Sequence, residues 1–442
     1  MITHIRVKNF KSWEDSDIVE LAPLTGFLGT NSSGKSSLLQ MLLFLKQTVE
    51  RSDAEEVVFF GDENSLINFG DFQEVIHRHN LEEVLELEFA CELIKPHSVD
   101  FSIDERKQSK VDRFTFNTVV EGRNRVSFVR NFRYADSSNG WKIVWNVSER
   151  GGRTEGFQFV NGTQIGYAYI QNCYGRPRLR PVHREWNQKF LRQISSIFEN
   201  LFSCVYYLGP TRVNPLRAYT WEGSHPEHPG QWGDWSIDAL LSARARNLKT
   251  LHEAEEVPIE QRVSYWLQEM SLAHSFALDW TSGKTYEVRI QKTSSSPPVT
   301  LADMGYGLTQ FLPVLVLCYY ALEGSTLILE QPGIHLHPKV QAQLADLLIE
   351  VVNERNLQIL VESHSEHFLN RLQRRIAEED ITLDKTALYF CRNEKGVSEI
   401  DPLEMDEFGN IANWPENFFG DEMGDLFAMT KAQRERQKRA EG

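Results

Sequence analysis

The chain of 442 residues lacks the features that mark several large classes of protein. It has five cysteines, an odd number with no C-x-x-C pair, so we expect reduced thiols rather than disulfides or a zinc site. Its most apolar run, residues 311–322, is too short to cross a bilayer, and the mixed charge of residues 2–20 is unlike a signal peptide. We therefore expect a cytoplasmic protein with no membrane partner.

Other motifs are also missing from the sequence. No heptad run is long enough for a coiled-coil arm, and we find neither an H-N-H pattern with zinc cysteines nor a toprim-like acidic pair. The chain carries 47 basic and 62 acidic residues, a net charge of −15. This charge argues against an extensive nucleic-acid-binding surface, although it allows a local basic groove.

Residues 29–37, GTNSSGKSS, satisfy the spacing G-x-x-x-x-G-K-[ST] of a phosphate-binding loop. The apolar residues 21–28 before it predict a short buried strand, and residues 37–49 after it predict a helix. In this setting backbone N–H groups converge on phosphate oxygens, and the helix N-terminus adds partial positive charge. The alternative is a Gly/Ser turn that caps an ordinary helix. The predicted nucleotide-binding residues here are Gly29, Asn31, Ser32, Ser33, Gly34, Lys35, Ser36 and Ser37.

Three later stretches make chemical sense together with this loop. Residues 303–310, DMGYGLTQ, form a glycine turn that opens a helix, which is another candidate phosphate-facing N-terminus. The strand TLILE ends in Glu330, whose carboxylate can share Mg²⁺ with the Ser36 hydroxyl. A second buried strand, ILVESH, ends in Glu362 and His364. Each stretch alone is usually structural, but the four together indicate a nucleotide site.

The pattern of apolar residues predicts an α/β fold. Alternating segments between residues 85 and 160 predict an antiparallel sheet. After residue 298, short strands separated by helices predict parallel pairing. We predict five regions: an ATPase lobe (1–95), an antiparallel β subdomain (96–172), a basic and helical insertion (173–275), a second ATPase lobe (276–400) and a C-terminal segment with a basic tail (401–442).

The insertion is predicted to hold two helices, over residues 237–254 and 259–274. Before them, residues 174–192 combine basic and aromatic side chains, a mixture that can track a phosphate backbone. The alternative is a solvated face, or ion pairs within an acidic protein. The candidate nucleic-acid contacts are Arg176, Arg178, Arg180 and Arg184.

Several of these motifs also resemble a known family. NFKSW (residues 9–13) followed by the phosphate loop, EQPGIHLHP (330–338) and ESHSEHFLNRL (362–372) resemble the ABC-type P-loop ATPase head of SMC, RecF and OLD proteins. GYGLTQFLPVL and GNIANWPENFF are most similar to a bacterial subgroup of predicted ATPases. That subgroup has a C-terminal domain of unknown function and is often associated with anti-phage defence.

The resemblance implies ATP and Mg²⁺ as cofactors, with adenine rather than guanine taken from the family alone. It implies Lys35 on the β- and γ-phosphates, Ser36 and Glu330 on Mg²⁺, and His364 near the γ-phosphate. It also implies a homodimer or higher oligomer and a nuclease-like effector protein as partner. The glycine turn would act across the dimer interface through Gly305, Gly307 and Thr309. Gln73 is a further candidate, as a glutamine that contacts metal and water.

The sequence departs from the family at the residue after Glu330. A glutamate that polarises the attacking water is usual there, and this chain has Gln331. An amide can orient water but cannot accept its proton. One hypothesis is slow turnover, and a second is that Glu362 supplies the base. The alternatives are a RecF- or SMC-like DNA-repair ATPase that binds DNA directly and an ATP-dependent scaffold with almost no turnover.

Overall fold

A computed structural model gives the fold of the chain. It describes residues 1–51, 56–100, 108–123, 126–136, 141–150, 153–160, 163–167, 172–176, 186–252, 255–415 and 429–433. Two large sheets, one parallel and one antiparallel, organise these ranges.

The parallel sheet has six strands in the order β11-β18-β19-β4-β20-β21, and only the β20–β21 pair is antiparallel. Its strands are short apolar runs, as expected for a sheet covered on both faces. They are β4 (Leu24–Gly29), β11 (Val205–Leu208), β18 (Thr326–Glu330), β19 (Gln358–Glu362), β20 (Thr386–Glu394) and β21 (Val397–Pro402).

The antiparallel sheet has the order β10-β9-β8-β7-β6-β5-β1-β2, and β3 also pairs with β1. This confirms the antiparallel pairing predicted between residues 85 and 160. The strands are β1 (Ile2–Phe10), β2 (Trp13–Asp15), β3 (Val19–Glu20), β5 (Leu85–Asp100), β6 (Gln108–Arg123), β7 (Val126–Asp136), β8 (Trp141–Arg150), β9 (Arg153–Val160) and β10 (Thr163–Tyr167).

Helices and two small sheets complete the described fold. The helices are α1 (Lys35–Glu50), α2 (Phe72–Val75), α3 (Trp186–Ser203), α4 (Ser236–Ala245), α5 (Ile259–Glu269), α6 (Tyr306–Tyr320), α7 (Pro338–Arg355) and α8 (Glu366–Ala377). The remaining strands are β12 (Tyr219–Thr220), β13 (Lys249–His252), β14 (Glu255–Pro258), β15 (Ser275–Ser282), β16 (Thr285–Gln291) and β17 (Val299–Thr300).

The parallel sheet separates two apolar cores. Along β18, Leu327 and Leu329 face a core that includes residues of α4 to α8, while Ile328 faces the core shared with α1 and the antiparallel sheet. This alternation follows from the two-residue repeat of a strand. The sheet is therefore fixed on both faces, which holds its strand ends in one place.

The structure confirms the α/β class and places no coiled-coil arm among the described residues, where the longest helices, α3 and α7, have 18 residues each. Within those ranges, no helix is both long and apolar enough to cross a membrane.

The prediction of one helix over residues 237–254 is wrong. The helix α4 ends at Ala245, and the next residues turn into the β13–β14 hairpin. Asn247, in the left-handed region at φ 52°, allows the turn that helix propensity alone did not reveal.

The five predicted regions do not follow the sheets. β5 crosses the boundary at residue 95, and β21 crosses the boundary at residue 400. β11, inside the predicted insertion, is an edge strand of the parallel sheet. The sheet to which each strand belongs is decided by pairing between residues far apart in the sequence, and composition does not reveal this pairing.

Candidate nucleotide site

A cavity of about 530 Å³ lies at the carboxyl edge of the parallel sheet, where β4, β18 and β19 end. Ligands of α/β sheets bind at this edge. The residues that line it are Lys11, Ser12, Asn31, Ser32, Ser33, Gly34, Lys35, Ser36, Ser37, Gln40, Gln331, Glu362 and His364.

The phosphate loop has a conformation that requires its two outer glycines. Gly29 has φ 134°, and a Cβ there would lie 2.0 Å from the Cys391 carbonyl oxygen. Gly34 has φ 94°, and a Cβ there would lie 2.4 Å from the Ser398 Oγ. The Trp13 indole Nε1 donates a hydrogen bond to the Gly34 carbonyl at 3.1 Å. Contacts from distant parts of the chain therefore fix the curvature of the loop.

The Lys35 ammonium is enclosed by acceptors of its own loop. Its Nζ donates to the Thr30 carbonyl at 2.7 Å, the Gly29 carbonyl at 3.3 Å and the Ser33 hydroxyl at 3.2 Å. Burial lowers the pKa of Lys35, with the Glu362 carboxylate acting in the opposite direction. A phosphate oxygen would compete with these neutral acceptors for the Lys35 ammonium. The attraction between phosphate and ammonium is strengthened because the buried cation has lost water.

The hydroxyl of Ser36, predicted to share Mg²⁺ with Glu330, is hydrogen-bonded to Glu362 in the structure. Its Oγ donates to Glu362 Oε2 at 2.6 Å. Glu330 is not among the residues that line the cavity, although it sits directly beside Glu362 in the β18–β19 register. Ser36 and Glu362 are therefore in contact at the cavity, whereas Glu330 lies beside Glu362 and does not line the cavity.

Glu330 is a buried carboxyl, 6% exposed, whose Oε1 has no hydrogen-bond partner in the described part of the chain. Burial and the neighbouring Glu362 raise its pKa to about 7, while the Tyr207 hydroxyl acts to lower it. An unpartnered carboxylate oxygen next to a second carboxylate and a hydroxyl is an all-oxygen donor set that suits Mg²⁺. Ser36 and Glu330 are therefore the residues that would hold a magnesium ion, with Glu362 beside both.

Gln331 and His364 both lie at the cavity. The backbone of Gln331 is in the left-handed region at φ 46°, and its N–H donates to the Glu362 carbonyl at 3.0 Å. Burial, followed by the Lys35 charge, lowers the pKa of His364. The imidazole is therefore neutral at pH 7 and able to donate one hydrogen bond to a phosphate oxygen.

The glycine turn lies away from the chain's own cavity. Gly305 is exposed at the start of α6, and Gly307 is partly exposed. The Thr309 hydroxyl donates to the Tyr306 carbonyl at 2.8 Å. None of the three predicted residues lines the cavity of the same chain.

Three residues at the cavity, Lys11, Ser12 and Gln40, were missed from the sequence. Lys11 donates from Nζ to Gln40 Oε1 at 2.9 Å, and this Nζ lies 4.1 Å from the centre of the Phe69 ring. Burial lowers the pKa of Lys11 to about 8. The sequence signal for Lys11 and Ser12 was the NFKSW motif, which supported the family resemblance but was assigned no role at the site. Gln73 is instead exposed on α2 and does not reach the cavity.

Only the first of the candidate nucleic-acid arginines lies in the described part of the chain. Arg176 is 3.7 Å from the Glu199 carboxylate, an ion pair that fits the alternative of internal salt bridges. Arg178, Arg180 and Arg184 lie outside the described residues.

A phosphate loop with a buried lysine, two strand-end carboxylates and a strand-end histidine at one sheet edge define a P-loop ATPase site. Three family models match the chain. One described as "AAA ATPase domain" matches residues 1–151, and one described as "AAA domain, putative AbiEii toxin, Type IV TA system" matches residues 238–370. The third, described as "Protein of unknown function (DUF3696)", matches residues 381–429. No curated protein matches the chain.

Solved structures similar to this fold include SMC heads. A head bound to the C-winged helix domain of ScpA is 11% identical with a TM-score of 0.46, over 91% of this chain and 98% of that chain. The head from Thermotoga maritima is 13% identical with a TM-score of 0.42, over 91% and 99%. A head from Pyrococcus furiosus, bound to the C-terminal domain of ScpA, is 10% identical with a TM-score of 0.44, over 91% and 96%.

The two ATPase models cover separate segments of the chain, and these segments contain all four motifs of the site. Both matched segments therefore resemble AAA-type ATPase domains.

Proposed function

We propose that this ATPase is a slow switch that binds Mg-ATP, dimerises head to head and regulates an effector protein in the cytoplasm. The observation that carries the proposal is which carboxylates at the cavity are free to act as a base. Gln331 occupies the position next to Glu330 and offers only an amide. The carboxylate that does line the cavity, Glu362, is already hydrogen-bonded to Ser36.

Each side chain at the cavity has a role in this proposal. Lys35 and the loop N–H groups bind and orient the phosphates, and the neutral His364 donates to the terminal one. Bound Mg²⁺ would neutralise phosphate charge. Gln331 orients the attacking water, and Glu362 accepts its proton. We expect slow turnover because Glu362 must first lose its hydrogen bond to Ser36.

The position of the glycine turn supports a dimer. Gly305 and Tyr306 are exposed at the start of α6, yet neither lines the cavity of its own chain. A helix N-terminus favours phosphate, so this turn suits the nucleotide held by a second copy. In the proposed dimer, each ATP would lie between one phosphate loop and the partner subunit's glycine turn.

The proposed output is control of an effector such as a nuclease, in anti-phage defence. No nuclease motif was found in the sequence, so any cutting would come from another protein. One matched family description names a toxin of a toxin–antitoxin system, which fits such a role. The alternative of direct DNA binding has less support, because Arg176 is paired with Glu199. A DNA affinity that falls steeply with salt would favour that alternative.

The first test is mass in solution with and without Mg-ATP, together with phosphate release, for the wild type and Lys35→Ala. We expect assembly in Mg-ATP that the variant loses, with little phosphate released. Rapid hydrolysis by the wild type would contradict a slow switch. An unchanged mass at every ATP concentration would contradict the dimer.

A further inference from the structure

A histidine and two glutamates come together at a second place in the fold. His252 is the last residue of β13, and Glu350 and Glu354 lie four residues apart on α7. β13 packs against α7, and residues four apart share one face of a helix. One ligand atom from each of the three side chains lies within 4.8 Å of the other two. None of these residues lines the nucleotide cavity, so the cluster is separate from it.

Two atoms of the cluster are buried and have no hydrogen-bond partner among the described residues. They are the His252 Nδ1 and the Glu354 Oε2. The other oxygen of Glu354, Oε1, lies 3.8 Å from that Nδ1, which is too far for a hydrogen bond. The two carboxylates also repel each other at this separation. A cation between the three side chains would give each unpaired atom a partner and relieve the repulsion.

The Glu350 carboxylate is held in place by groups outside the cluster. Its Oε1 accepts hydrogen bonds from the Tyr319 hydroxyl at 2.5 Å and the Arg262 Nε at 3.2 Å. The Trp266 Nε1 lies at 3.5 Å from the same oxygen. Oε2 accepts from the Arg262 Nη2 and keeps a lone pair for a further partner. Carboxylates that bind metal ions are commonly oriented by such outer hydrogen bonds.

The charges of the cluster also favour a cation. The Arg262 guanidinium is paired with Glu350 and balances the charge of that glutamate. The Glu354 carboxylate has only the His252 ring beside it in the cluster, at 3.8 Å. One negative charge therefore remains to attract a metal ion when the imidazole is neutral, which is the form that binds metals.

We propose that His252, Glu350 and Glu354 form a site for a divalent transition-metal ion of the Zn²⁺ type. An imidazole nitrogen with two carboxylate oxygens suits Zn²⁺, whereas Mg²⁺ and Ca²⁺ prefer oxygen ligands alone. Three protein ligands leave one position of a tetrahedron for water. Metal–ligand distances of about 2.1 Å require ligand atoms about 3.3 Å apart, so the side chains draw together on binding.

The ion would join the end of β13 to the middle of α7. These two elements are about 100 positions apart in the sequence, and the three ligands are the side chains that meet between them. Zinc that binds only the folded chain stabilises it. The inference does not depend on the proposed function, because it involves neither ATP nor a second copy of the chain.

The test is a calorimetric titration of full-length, chelator-treated protein with Zn²⁺ alone. We expect His252→Gln and Glu354→Gln each to lose one zinc equivalent per chain or to weaken its binding by about 100-fold or more. Glu330→Gln, which changes the nucleotide site, should keep that equivalent. Co²⁺ in place of Zn²⁺ should give an absorption spectrum without a thiolate charge-transfer band, since no cysteine belongs to the site.

Two neighbouring phenols provide a matched pair of variants. Tyr319→Phe removes the hydroxyl that holds Glu350 and should weaken zinc binding by about tenfold. Tyr320→Phe removes the next phenol of α6, which donates to the Pro226 carbonyl at 2.6 Å, and should leave zinc binding unchanged. Zinc should raise the midpoint of thermal unfolding of the wild type and of Tyr320→Phe, but not that of His252→Gln.

Several results would overturn the site. They are no zinc binding by the wild type at micromolar concentrations, zinc binding that is the same in His252→Gln and Glu354→Gln as in the wild type, and a thiolate band with Co²⁺. Equal affinity for Mg²⁺ and Zn²⁺ would overturn the assignment to a transition metal. If Glu354→Gln does not fold, His252→Gln decides the outcome, because His252 lies at the end of a short hairpin strand.

Discussion

Glu330 and Glu362 end neighbouring parallel strands and are paired in register. They nevertheless differ in their hydrogen-bond partners and in their access to the cavity. Both are nearly fully buried, at 6% and 4% exposed. Glu362 lines the cavity and accepts a hydrogen bond from Ser36. Glu330 does not line the cavity, and burial raises its pKa to about 7. Two carboxylates at equivalent positions of one sheet edge are therefore not equivalent, because their neighbours differ.

The largest expected effect comes from Glu362→Gln. If Glu362 accepts the proton of the attacking water, phosphate release should fall by about 100-fold or more, the usual contribution of a general base. Affinity for ATP should change much less, because the amide still accepts a hydrogen bond from Ser36. Steady-state phosphate release and analogue binding measure the two quantities. Unchanged, measurable hydrolysis would remove Glu362 from the mechanism.

The reverse change is Gln331→Glu, which places a carboxylate on the left-handed residue beside the cavity. We expect phosphate release to rise by about tenfold or more, since a second candidate base is then available. ATP-driven assembly should become shorter-lived as a result. The matched control is Gln331→Asn, which keeps the amide. A rise in that variant as well would show that side-chain size, rather than basicity, limits turnover.

Glu330→Gln should act on magnesium and on stability rather than on proton transfer. Loss of one carboxylate should weaken Mg²⁺-dependent ATP affinity by roughly tenfold. Without metal, the same variant should raise the free energy of unfolding at pH 8 by about 1 kcal/mol or more, because a buried, partly unsatisfied charge is removed. A magnesium titration of ATP binding tests the expected loss of affinity. Chemical denaturation in EDTA tests the expected gain in the free energy of unfolding.

The stability difference should also depend on pH. The folded-state pKa of Glu330 is raised from 4.5 to about 7, so the folded chain holds its proton more tightly than the unfolded chain. The wild type therefore loses stability relative to Glu330→Gln as the pH rises from about 4.5 through 7, and the difference is constant above that. A difference that shrinks over this interval would show that Glu330 is not the buried acid described.

The smallest expected effect is that of Trp13→Phe, which removes the hydrogen bond from the indole to the Gly34 carbonyl. We expect a loss of about 1 kcal/mol in the free energy of unfolding. Hydrolysis per bound ATP should change little, because neither carboxylate is touched. A large fall in turnover would instead mean that the backbone of the loop, rather than either glutamate, controls the rate.

Much of the site was predictable because its motifs are local. The spacing of Gly29, Gly34 and Lys35 identified the phosphate loop, and the apolar runs before Glu330 and Glu362 identified two buried strands. The observed strands Thr326–Glu330 and Gln358–Glu362 end at the carboxylates themselves. The helix predicted over 237–254 was wrong because a turn at Asn247 is stabilised by pairing that local preference does not report.

The sequence by itself determined that a phosphate loop and two strand-end acids exist, since these depend on neighbouring residues and on strand and helix periodicity. The tertiary structure decided which acid meets Ser36, because the direction of a strand-end side chain depends on the strand beside it. It also placed Lys11, from the turn between β1 and β2, at the cavity, and it paired β11, which carries Tyr207, with the strand that ends in Glu330. Such contacts join residues up to several hundred positions apart, and no local pattern records them.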